Sequence, residues 1–281
     1  MKRYTEEEIN FIIQGFNNRT LPQSKWDHNA HIIIAFWYNT NYTFDEALPL
    51  VKEQIKTYNV AVGTPNTAHS GYHETLTIFW MIFTKNYLFD NPREELIRVL
   101  NQFLELYPNK NTPFKFYNRE SLFSTKARKN WFNGNLKRIS LKKDLTNSHY
   151  RFSDEEFKEV FESCNLDPSL FSHEAHLRLA WIIVRENGAQ EAIDIICDQI
   201  QAYVIKLGAE DKFNKTLTIA ATKAVSHFIQ KSHSDNFPDF ILEFPRLKNN
   251  FKDLMAAHYS FDIYNSQNAK NHFLEPDLLP F

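Results

Sequence analysis

Trp26-Asp27-His28-Asn29-Ala30-His31 returns 145 positions later as Phe171-Ser172-His173-Glu174-Ala175-His176, and the reading of the fold turns on that return. The register holds beyond the motif. Ala35, Ala47, Ile55, Tyr58 and Gly63 fall on Ala180, Ala192, Ile200, Tyr203 and Gly208. It resumes at an offset of 141, where Tyr72-His73-Glu74-Thr75-Leu76-Thr77 lies over Phe213-Asn214-Lys215-Thr216-Leu217-Thr218. At an offset of 142, Tyr117, Ser124, Ala127 and Arg128 lie over Tyr259, Ser266, Ala269 and Lys270. Both halves open alike, with Thr5-x-x-Glu8 and Ser153-x-x-Glu156, the side-chain pattern of a helix capping box. A near-constant offset over so many positions marks an internal duplication. The expectation is two tandem modules, residues 1–145 and 146–281, packed pseudo-symmetrically as a covalently fused dimer within one monomeric chain. The hinge should fall in the polar stretch between Leu141 and His149.

The periodicity of apolar residues predicts an all-α fold, with about six helices in each module. In the first they fall near 5–18, 25–40, 43–61, 69–88, 91–107 and 121–132. In the second they fall near 153–164, 171–186, 188–207, 210–231, 236–256 and 265–273. Asn91-Pro92 followed by Glu94 and Glu95 reads as a helix start, and Pro245 should break the fifth helix of the second module. The run Ile32-Ile33-Ile34 reads as buried helix rather than strand, because of its length and flanks.

Composition narrows the function. The chain has 281 residues, 43% hydrophobic and 23% charged, enough to bury one large core or two small ones. With only 6 glycines it is poorly supplied for a glycine-rich phosphate loop. The net charge of -2, with both signs interspersed, leaves no electrostatic footprint for nucleic acid. The longest apolar run, Ile32 to Tyr38, is too short to span a bilayer, and the amphipathic N-terminal stretch lacks the apolar core of a signal peptide. Cys164 and Cys197 stand in unrelated contexts, which fits a reducing compartment, so the expected location is cytoplasmic.

The chemistry concentrates on histidine. His28 and His31, three apart, share one face at the first turn of a helix. On the helix predicted over 69–88, His69, His73 and Thr77 share a face, with Glu74 about 100° round from His73. His28, His31 and His73 would then be ligands of a divalent metal, iron or zinc, with Glu74 as catalytic base or fourth ligand. His69, Thr77, Trp26, Tyr38 and Tyr72 would surround that centre or line a substrate pocket. The bland alternative has His28 and His31 as cap-region or core residues with backbone partners, and His73 packing its ring against the core. In the second module His173 and His176 remain, but Asn214 and Lys215 replace the histidine and the glutamate, so that site reads as degenerate. The Tyr117–Arg128 segment reads as a packing clasp that ends each module, or as a lid.

The combined pattern, an aromatic residue before His-x-x-His and then Tyr72-His73-Glu74-Thr75-Leu76-Thr77, resembles an uncharacterised bacterial all-α family. Its members are similar to single modules of half this length that end in a segment like Glu275-Pro276-Asp277-Leu278-Leu279-Pro280. In the first module that ending is eroded to Asn133-Gly134-Asn135-Leu136-Lys137-Arg138. The resemblance implies a fold and no activity. The functional expectation is a metal-dependent enzyme acting on a small molecule through the N-terminal module. The alternative is a non-catalytic helical module that binds a ligand or protein and whose histidines are structural.

Overall fold

The computed structural model describes residues 2–92, 95–142 and 145–281. Every regular element among them is helical. The chain divides into two compact units, Met1–Lys142 and Lys143–Phe281. The division falls at the start of the expected hinge, of which residues 143 and 144 lie outside the described set.

The first unit contains α1 (Glu6–Asn17), α2 (His28–Asn41), α3 (Phe44–Ala61), α4 (Glu74–Asp90), α5 (Leu96–Leu106), α6 (Arg119–Leu122) and α7 (Thr125–Lys129). Single 3-10 turns at Gln23–Lys25 and Thr112–Lys115 connect them. α2 is apolar on nearly every side, and Ala30, Ile32, Ile33, Ile34 and Phe36 are all but sealed from solvent. A helix buried all round must lie at the centre of its unit, and α2 packs on α1, α3, α4 and α5. α4 is its chief partner and contributes Ile78, Phe79 and Ile82. Burying one such side chain stabilises the fold by about 1.5–3 kcal/mol. Thr5 with Glu8 and Thr43 with Glu46 close capping boxes at the starts of α1 and α3.

The second unit contains α8 (Asp154–Glu162), α9 (His173–Asn187), α10 (Ala189–Lys206), α11 (Lys215–Lys231), α12 (Phe237–Glu243), α13 (Arg246–Asn249), α14 (Phe251–Ala256) and α15 (Gln267–Asn271). α9 is its buried centre, packed on α8, α10, α11, α12 and α13. Ser153 and Glu156 close the capping box of α8. Pro245, which lacks an N–H, stands between α12 and α13, and the single helix expected over 236–256 becomes three short ones.

Two helix starts depart from expectation. α4 begins at Glu74, not near residue 69, with His73 as its N-cap. Gly71 has φ +70, and a Cβ built there would sit 2.6 Å from the Pro65 carbonyl oxygen. The helix therefore cannot run back through it, and His69 falls in an exposed loop, off the expected helical face. Asn91 caps the end of α4, with its N–H on the Leu88 carbonyl, instead of starting α5. Glu95 is the N-cap of α5, and Glu94 lies outside the described residues.

Candidate ligand-binding site

The site is built from the entry to α2. The turn at Gln23–Lys25 delivers Trp26, whose ring clusters with Phe16 at 4.7 Å and Tyr58 at 4.9 Å. Tyr58 is tied down by donating its hydroxyl to the Leu21 carbonyl at 2.9 Å. Asp27 then caps α2 by accepting the Ala30 N–H at 2.9 Å. His31, one turn on, packs against Trp26 with ring centroids 3.9 Å apart and the planes tilted by 32°.

Backbone carbonyls set the protonation of both histidines. His31 Nδ1 lies 2.7 Å from the Asp27 carbonyl oxygen, and His28 Nε2 lies 3.2 Å from that of Tyr107. A carbonyl only accepts, so each of these nitrogens carries the proton. Burial pushes both pKa values below the usual imidazole range and keeps the rings neutral at pH 7. The remaining nitrogens, His28 Nδ1 and His31 Nε2, hold lone pairs and take no partner among the described residues.

His73 is placed differently. Its Nδ1 accepts the Leu76 N–H at 3.3 Å as the cap of α4, and its Nε2 donates to the Leu122 carbonyl at 2.9 Å. Burial, with the Arg128 guanidinium nearby, holds its pKa down at about 4. Arg128 itself donates to the carbonyls of Gly71 and Tyr72, at 3.2 and 2.9 Å. Thr75 donates to the Asn130 carbonyl and accepts from the Phe132 N–H. The segment from Leu122 to Phe132 thus clasps the start of α4 through backbone bonds.

Glu74, expected as a catalytic base, is paired with Lys52 and accepts the Tyr72 hydroxyl at 2.7 Å. Burial, then the Glu74 charge, pushes the Tyr72 phenol far above its ordinary range, so it remains a donor. The Lys56 ammonium sits 4.8 Å from the Tyr72 ring centre. Tyr38 is buried beside Tyr42, its hydroxyl 3.4 Å from Asn17 Oδ1.

The structure gathers six of the expected residues around one cavity of about 760 Å³: Trp26, His28, His31, Tyr72, His73 and Thr77. Glu74, Tyr38 and His69 are not among its walls. The rest of the lining escaped sequence reasoning. Ile34 comes from α2; Val51, Ile55 and Asn59 from α3; Leu76, Trp80 and Met81 from α4; and Lys110 stands beyond α5. The four-residue spacing of 51, 55 and 59 was the available signal, since it sets one face of α3 toward the cavity.

A metal centre of His28, His31 and His73 does not assemble from these donors. Both ring nitrogens of His73 are committed to the backbone, and Glu74 is committed to Lys52 and Tyr72. Two imidazole lone pairs remain, and no group of three His, Cys, Asp or Glu suited to a metal occurs among the described residues. The expected iron or zinc set is short of ligands because the kink at Gly71 turned a helical face into a cap and a loop.

The second unit repeats these bonds. His173 Nε2 donates to the Leu247 carbonyl at 2.8 Å, and His176 Nδ1 to that of Ser172 at 2.8 Å. His176 stacks on Phe171 at 3.6 Å, and burial holds its pKa near 4. Asn214 caps α11 by accepting the Leu217 N–H at 2.9 Å and donates to the Ile263 carbonyl at 2.8 Å. It carries out the two hydrogen-bonding tasks of His73, so its presence does not mark a lost metal ligand. Comparison of the chain with protein-family models, with curated proteins and with solved structures finds no match.

Proposed function

We propose that the first unit is a binding module for a small molecule, held in the cavity between α2, α3 and α4. The observation that carries this is a cavity of about 760 Å³, with aromatic and aliphatic walls and two unpartnered imidazole nitrogens on its lining residues. Pockets for small molecules combine this size and apolar character with a few placed polar groups. Met81 is buried and Trp80 half-buried on α4, so helices α2, α3 and α4 supply much of the wall.

The test uses the two cavity tryptophans among the chain's 5. Indole N–H signals are followed by NMR while small neutral aromatics are added. Shifts at Trp26 and Trp80, and not at Trp37, Trp131 or Trp181, are expected. Ala35→Phe, which pushes a ring into the cavity from α2, should abolish them while the other three signals stay in place. A panel that moves no cavity signal at millimolar concentration rejects the reading.

A second reading, metal-assisted chemistry at the same place, is favoured by the neutral lone pairs on His28 and His31. It requires the missing ligands to come from the bound molecule or from water, and elemental analysis of untagged protein distinguishes it. The paired bonds of the two units also support their origin as tandem copies. A cytoplasmic setting rests on the two free cysteines. No helix is long and apolar enough to cross a membrane among the described residues.

A further inference from the structure

We infer that the cavity selects molecules that donate a hydrogen bond from an otherwise apolar body, such as phenols and other hydroxylated or N–H-bearing aromatics. The inference rests on the binding role proposed above and specifies its ligand. Its ground is geometric. The carbonyls of Tyr107 and Asp27 take the only N–H of each neutral ring. Neither histidine can turn its proton toward the cavity without breaking that bond and leaving a carbonyl unsatisfied. What they offer a ligand is therefore acceptance alone, from His28 Nδ1 and His31 Nε2.

The rings are also held in place. His31 is packed against Trp26, which clusters with Phe16 and Tyr58, and His28 lies 5.1 Å from Trp80. A ring so packed cannot flip freely to exchange a lone pair for a proton. The nearby hydroxyl of Tyr72 is already donated to Glu74, which removes one competing donor from the wall. An apolar molecule without a donor would fill the space but leave both acceptors dry, and a site with unmet polar groups rejects such analogues.

The experiment compares 4-ethylphenol with 1-ethyl-4-fluorobenzene, which has nearly the same shape and no hydroxyl. Both are titrated into the full chain, with the Trp26 and Trp80 indole signals as readout. The phenol is expected to bind at least fivefold tighter, the effect of about one net hydrogen bond. His31→Phe, which keeps a ring on Trp26, should shrink the ratio mainly by weakening the phenol. Equal affinities in the wild-type chain would overturn the donor preference and leave the cavity's binding role standing. Binding of neither compound at the cavity tryptophans would remove the binding role and the preference together.

Discussion

At the scale of single residues, the histidines are defined by what their carbonyl partners allow. His73 and Asn214 make the same pair of bonds, a cap to the third backbone N–H and a donation to a distant carbonyl. His73→Asn should therefore change stability by less than about 1 kcal/mol. His73→Leu, which strands both the Leu76 N–H and the Leu122 carbonyl, should cost about 2–4 kcal/mol. Chemical denaturation of the two variants side by side checks this, and equal losses would contradict it. The residue scale also sets an acid limit. His73 and His176 titrate near 4 when folded and near their ordinary 6.5 when unfolded. Between these values the unfolded chain binds more protons, so stability is complete above about pH 6.5 and falls as pH drops toward 4. The loss should be on the order of 2–3 kcal/mol for each histidine. Denaturation midpoints from pH 7 to pH 4 measure it, and His73→Asn should flatten the slope.

At the scale of elements, most of the fold was legible because helix capping and apolar periodicity are local. Thr5-x-x-Glu8 and Ser153-x-x-Glu156 start helices where the pattern says, and Pro245 stops one. The candidate site was half legible. Trp26, His28, His31, Tyr72, His73 and Thr77 do line one cavity, yet the roles of His69, His73 and Glu74 depended on a helix that begins five residues late. The cause is a left-handed glycine whose Cβ would meet backbone, and a left-handed conformation leaves no periodic trace in a sequence. The carbonyls of Tyr107 and Leu122 were equally invisible, being backbone groups brought in from far along the chain. Helix ends also supply a prediction. Arg19 and Cys164 follow α1 and α8 with φ of 61° and 55°, a conformation strained for any residue with a Cβ. Arg19→Gly should raise stability by about 0.5–1 kcal/mol, and a fall in the thermal midpoint would contradict the strain.

At the scale of the whole molecule, the two units carry matching bonds with different fillings. The Lys52–Glu74–Tyr72 cluster beside the first cavity has Cys197, Lys215 and Phe213 at the corresponding positions of the second unit. Glu74→Gln should leave Lys52, only 14% exposed, without its counter-charge, and should destabilise the first unit by about 1–3 kcal/mol. Such a loss with ligand affinity changed less than threefold would place Glu74 in the scaffold and not in the chemistry. Abolished binding in a folded Glu74→Gln chain would speak for a direct role.

Backbone carbonyls hold these imidazoles, leaving free acceptors on His28 and His31 and none on His73. The most direct test is a long-range proton–nitrogen NMR spectrum of the histidine rings at pH 7. The prediction is that these three rings are neutral, with the proton on Nε2 of His28 and His73 and on Nδ1 of His31. A charged ring, a reversed tautomer at His28 or His31, or a His73 nitrogen shifted by added zinc would contradict the account.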